Sequence, residues 1–130
     1  MNQDIFSLER IFDSLIRYGI VIASLSFHEW GHAFAACKLG DNTAKLMGRV
    51  TLNPLRHIDP IGTVLLPIIA ILAQFPVVGW AKPVLINPDN LRRRGSLSLV
   101  TIAGPLMNLL LALVFAVACV IIAKSIQLLQ

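Results

Sequence analysis

Residues 18–37 read YGIVIASLSFHEWGHAFAAC, and this stretch decides the fold. Its twenty residues include one charged side chain, Glu29. A helix of that length crosses a hydrocarbon core of ~30 Å. Its centre is His28-Glu29-Trp30-Gly31-His32, an H-E-x-x-H pattern. Positions i and i+4 share one helix face, so the two imidazoles can hold a single metal ion. Zn²⁺ is the ion that this pattern serves. It lowers the pKa of water and polarises a carbonyl, and Glu29, beside the first histidine, is placed to take the water's proton. The competing reading is a pair of satisfied core histidines. Each ionisable group at membrane depth costs several kcal/mol, so three within five positions argue for function.

The rest of the chain supports a membrane setting. Of 130 residues, 56% are hydrophobic and only 14% charged. An ordinary soluble domain carries about 25% charged residues. Residues 60–81 and 95–123, runs of 22 and 29, contain no Asp, Glu, Lys or Arg. Pro67 and Pro76 interrupt the first run, which suggests a broken or re-entrant segment rather than a clean span. The second is long enough to span with tilt, and Gly104-Pro105 predicts a kink near its start. Residues 4–17 read as an amphipathic interfacial helix, with Ile5, Leu8, Phe12 and Leu15 on one face. Between the first two apolar stretches, KLMGRVTLN at 45–53 alternates and ends in turn residues, which predicts a short β-strand over Leu46–Leu52. The predicted fold is therefore an all-α integral membrane protein. It has two to three membrane-embedded helical segments and one short β-strand element in the loop after the first span.

The net charge is +4. The basic residues stand beside apolar stretches, where they mark a cytoplasmic face and attract anionic lipid, so nucleic acid is not an expected partner. If residues 60–81 re-enter, both loops share one side with eight basic residues, against three for the two termini. That arrangement satisfies the positive-inside rule. Cys37 and Cys119 lie in apolar surroundings and do not form a disulfide framework.

Taken together, H-E-x-x-H inside an apolar span, then GRVTLNPLRHIDPIG, GWAKPV and AGPLMN, resemble the site-2 protease family of intramembrane zinc metalloproteases. The resemblance runs from Ser26 to about Leu113. It implies that His28 and His32 are zinc ligands and Glu29 the catalytic glutamate. It implies that the Leu46–Leu52 strand, through residues such as Gly48 and Val50, pairs with an unwound substrate segment. It also places Asn108, in the A-G-P-x-x-N signature, near the metal or the substrate. The family's third ligand is an aspartate in an L-D-G motif on a later helix, and this sequence has no L-D-G. The expectation is an incomplete domain, inactive or nearly so on its own. Cys37 falls ~140° around the helix from His32. His57, Asp59 and Asp89 read more simply as turn or cap residues.

The leading expectation is a zinc endopeptidase of the cell membrane, multi-pass, acting on transmembrane proteins within the lipid bilayer. A non-catalytic membrane protein that binds metal or partners through the same fold is the alternative. A small transporter subunit is a third. The sequence leaves the oligomeric state open.

Overall fold

The computed structural model describes residues 8–73, 75–76, 79–93 and 95–129. The predicted interfacial helix begins at residue 4, so its first turn lies outside the described residues. From Leu8 one helix, α1, runs without a break to Leu39. Glu9 in its first turn and Lys38 in its last both favour the helix dipole. Asp13 and Arg17 form an exposed i,i+4 ion pair at 3.2 Å.

Gly40 ends α1. Its φ of +115° suits glycine, and the N–H of Asp41 reaches the Ala36 carbonyl at 2.9 Å while that of Gly40 reaches Cys37 at 3.3 Å. These two bonds close the helix end as a Schellman turn. The Arg92 N–H satisfies the Leu39 carbonyl at 3.0 Å. A Cβ on Gly40 would stand 2.8 Å from Arg92 Cγ and 2.9 Å from the Asn90 carbonyl. Gly40→Ala is therefore expected to cost about 1–2 kcal/mol for the backbone conformation alone, read as a lowered unfolding midpoint in detergent. An unchanged midpoint would show that the turn is not held this way.

The expected β-strand does not form, and no strand occurs among the described residues. Leu46 closes a short helix, α2, over Thr43–Leu46. Gly48 then turns the chain at φ +66°. Thr51 Oγ accepts the Asn53 N–H at 3.1 Å, and Asn53 opens a 3₁₀ turn at Pro54–Arg56. Alternation signals a strand only where a second strand supplies the ladder. Of the alternating residues only Val50 packs inward, against Ala33, Ala44 and Val84, while Leu46 and Leu52 stand exposed.

The second apolar stretch doubles back. Asp59 caps it by accepting the N–H groups of Ile61 and Gly62 at 3.1 and 2.7 Å. A π-helical turn, Pro60–Leu65, leads into α3, Leu66–Leu72. The chain returns so that the Trp80 N–H meets the Gly62 carbonyl at 3.2 Å and the Lys82 N–H meets His57 at 2.9 Å. Buried Thr63 fastens the junction by donating its hydroxyl to the Trp80 carbonyl at 2.7 Å. Tyr18 of α1 donates to the Thr63 carbonyl. Both ends of the stretch therefore meet at one place beside α1.

From Lys82 the chain runs extended to a 3₁₀ turn at Pro88–Asn90, and α4 follows over Ser96–Leu128. Helices α1 and α4 lie antiparallel against each other. Gly31 brings them close, because a Cβ there would stand 2.7 Å from Met107 Cγ and 2.8 Å from the Ala103 carbonyl. The buried residues around this contact include small ones, Ala33, Ala36, Val100 and Gly104. Ile11–Leu39 and Ser96–Leu128 are long and apolar enough to cross a bilayer, yet only 6% and 0% of their most apolar windows are buried within the protein. Leu109, Leu113, Phe115 and Ile121 stand exposed along α4. An apolar surface of that extent marks a contact with a membrane or with further protein.

Candidate metal centre

His28 and His32 lie on the α1 face that meets α4. His28 Nε2 and His32 Nε2 stand 3.1 Å apart. Two nitrogen ligands at tetrahedral angles, each about 2.0–2.1 Å from zinc, are separated by about 3.3 Å. The ring edges are thus already spaced as ligands of one ion.

Opposite them is Gly104. A Cβ at this position would collide with His32 Nε2 and stand 2.8 Å from His28 Nε2. Only glycine lets α4 approach the two nitrogens this closely. The donor set, two imidazoles in a largely apolar surround, suits zinc. Among the described residues no group of three or more His, Cys, Asp or Glu is placed to hold a metal.

The rings are held from behind by α4. His32 Nδ1 lies 2.7 Å from the Val100 carbonyl oxygen, so it must carry the proton and donate it. That leaves Nε2 with its lone pair free. His28 Nδ1 lies 3.2 Å from the Asn108 side-chain amide. Val100, Gly104 and Asn108 are spaced four apart on α4, so they form one stripe along it. Read antiparallel, Asn108 meets His28 and Val100 meets His32, with Gly104 between them.

Glu29 points to a different neighbour. Its Oε2 accepts the Val84 N–H at 2.9 Å. The segment from Lys82 to Asn87 is pinned at three places. These are Lys82 on the His57 carbonyl, Val84 on Glu29, and Asn87 on Asp41 at 2.7 Å. Asp41 is fully buried. Burial raises its pKa, but hydrogen bonds from the Thr43 hydroxyl and N–H, the Asn87 N–H and the Asn90 amide outweigh this and hold it at about 2.

The structure thus brings His28, His32 and Asn108 together, while Glu29 engages the Val84 N–H. Gly48 lies in an exposed turn, and Val50 belongs to the Ala33–Ala44–Val84 cluster. The candidate substitute ligands are engaged elsewhere. Cys37 Sγ meets Asn42 at 3.3 Å, His57 Nε2 meets the Thr51 carbonyl at 2.9 Å, and Asp59 caps a helix. Asp89 is exposed in its turn. Sequence reasoning did not find Val84 or Val100, because both act through backbone atoms that no side chain advertises.

An H-E-x-x-H pair framed by two apolar helices defines a class of membrane metalloprotein, and comparison with known proteins gives the family. The chain is 44% identical over 104 residues to a Bacillus subtilis protein named "Putative zinc metalloprotease YwhC", covering 78% of this chain and 44% of that protein. It is 37% identical over 92 residues to "Putative zinc metalloprotease Rip2" of Mycolicibacterium smegmatis, covering 70% of this chain and 34% of that protein. The Rip2 protein of Mycobacterium tuberculosis matches at 37% over 98 residues, which is 75% of this chain and 37% of that protein. The chain belongs to the site-2 protease family, as these proteins do. It spans less than half the length of each of these relatives. No family model matches the chain, and no solved structure matches it.

Proposed function

We propose that the protein is a zinc-dependent intramembrane endopeptidase of the site-2 type. It would sit in the cell membrane as a multi-pass protein and hydrolyse peptide bonds in or near transmembrane segments of other membrane proteins. The observation that carries this reading is the His28–His32 pair, spaced for one ion and facing Gly104, with Glu29 on the same helix between apolar walls. The partners of this reading are a transmembrane protein substrate and the lipid bilayer, with no role for nucleic acid.

His28 and His32 would hold zinc, which when bound would supply Lewis acidity toward water and the scissile carbonyl. Glu29 moves the proton. Its Oε2 is occupied by the Val84 N–H, which leaves Oε1 to accept a proton from the attacking water. The water oxygen bonds to the carbonyl carbon, and Glu29 returns the proton to the amine nitrogen as the C–N bond breaks. His32 keeps its Nδ1 proton on Val100 throughout, so its ring does not rotate.

Zinc content of the protein purified in detergent tests the site. His28→Ala and His32→Ala are expected to lose zinc. Glu29→Gln is expected to keep it and to lose cleavage of a single-span substrate by about a hundredfold or more. Zinc retained in both histidine variants would defeat the reading. A second reading, a non-catalytic metal-binding membrane protein, draws on the two-histidine donor set among the described residues. Stoichiometric zinc with no turnover, unaffected by Glu29→Gln, would favour it.

A further inference from the structure

We infer that Asn108 is a positioning residue that fixes the tautomer of His28, presenting the lone pair of Nε2 to the metal. This rests on the zinc reading of the His28–His32 pair.

As placed, the Asn108 Nδ2 group lies 3.2 Å from His28 Nδ1, while Asn108 Oδ1 is buried with no hydrogen-bond partner. A buried carbonyl without a donor costs about 1–3 kcal/mol. An amide donating to Nδ1 would also force the His28 proton onto Nε2, where it would point at His32 Nε2 and block a metal. The two ends of an amide are distinguished only by their hydrogen bonds. Turning the Asn108 amide by 180° satisfies the orphaned oxygen and removes the proton between the two Nε2 atoms, which at 3.1 Å then share a cation in its place. Oδ1 then accepts a proton from His28 Nδ1, the orphaned oxygen is satisfied, and Nε2 is left with a free lone pair.

The turned arrangement makes the two ligands equivalent. His32 donates its Nδ1 proton to the Val100 carbonyl, and His28 donates its own to the Asn108 side-chain carbonyl. Both acceptors come from α4, four residues either side of Gly104. The backbone carbonyl reaches His32. A side-chain carbonyl extends the same chemistry to His28. Asn108 therefore acts on the metal through His28, not by touching the substrate.

The test has two readouts. In metal-free protein carrying ¹⁵N-labelled histidine, at mildly alkaline pH, His28 is expected to be protonated on Nδ1. Asn108→Asp keeps an acceptor at the same place and should preserve that signature. Asn108→Leu should lose it. Zinc affinity, measured against a competing chelator, should fall about 10–100-fold in Asn108→Leu and be retained in Asn108→Asp. An Nε2-protonated His28 in the wild type overturns the proposal. So does Asn108→Leu binding zinc as tightly as wild type while His28→Ala and His32→Ala lose it. Should those histidine variants also keep their zinc, the zinc reading itself fails, whatever the ¹⁵N signature shows.

Discussion

Gly104→Ala is expected to abolish zinc binding while leaving the helix content unchanged. The added methyl would overlap His32 Nε2, approach His32 Cε1 at 2.6 Å and approach His28 Nε2 at 2.8 Å. Real side-chain carbons do not sit that close, so something must yield. The rings cannot swing aside freely, because Val100 and Asn108 hold their far nitrogens. Either both ring anchors break or α1 and α4 separate, and in each case the nitrogens stop converging. Affinity should drop by at least about a hundredfold, as expected when ligand orientation is lost. Gly19→Ala is the control, since a Cβ there meets nothing within 4 Å. It should keep wild-type zinc and be neutral or stabilising by about 0.5–1 kcal/mol. Wild-type zinc affinity in Gly104→Ala would show that the imidazoles do not face this glycine.

Asp41→Ala is expected to destabilise the protein by about 1–3 kcal/mol or more, the cost of leaving buried hydrogen-bond donors without an acceptor. The carboxylate accepts the Thr43 N–H at 3.0 Å, the Asn87 N–H at 2.7 Å, the Asn90 amide at 3.1 Å and the Thr43 hydroxyl. Alanine would leave those donors without partners in a closed space. Through Asn87 it would also release the segment that holds Glu29, while the two histidines stay on α1. Zinc should therefore remain bound at temperatures where the variant is folded. The acid dependence has a defined sign. The folded pKa, about 2, lies below the ordinary value of 3.8. The stabilisation is fully present above pH ~4 and fades as pH falls from about 4 to about 2. It amounts to about 2 kcal/mol for a shift of this size. Unfolding midpoints measured in detergent down this pH range should fall in wild type and fall less in Asp41→Asn. Equal acid sensitivity in the two would remove Asp41 from the account.

Much of the candidate site was legible in the sequence. The two histidines and Glu29 were readable because helix geometry converts a spacing of four into a shared face. Asn108 was marked by its place in the A-G-P-x-x-N signature, although its contact with His28 was not. The strand over Leu46–Leu52 was misread for a physical reason. Alternation records which side chains point inward, and Val50 does point inward. It does not record whether a second strand exists to take up the backbone bonds. Gly48, with φ at +66°, turns the chain where a ladder would need it extended. The return of the Pro60–Ala81 stretch was suggested by prolines and by charge. The bonds that close it, from Trp80 to Gly62 and from Lys82 to His57, join backbone atoms distant in the chain.

By itself the sequence marked an apolar setting and the candidate reactive groups. Long uncharged runs suit lipid, and ionisable residues inside such a run are costly. Only the tertiary structure decided what those groups can do. Gly104 lets α4 approach the imidazoles closely, Val100 and Asn108 hold their far nitrogens, and Val84 and Asp41 fix the segment against Glu29. Each of these acts by a backbone atom, a missing side chain or a bond across dozens of residues. Such effects depend on which helix faces which, and local sequence pattern carries no information about that.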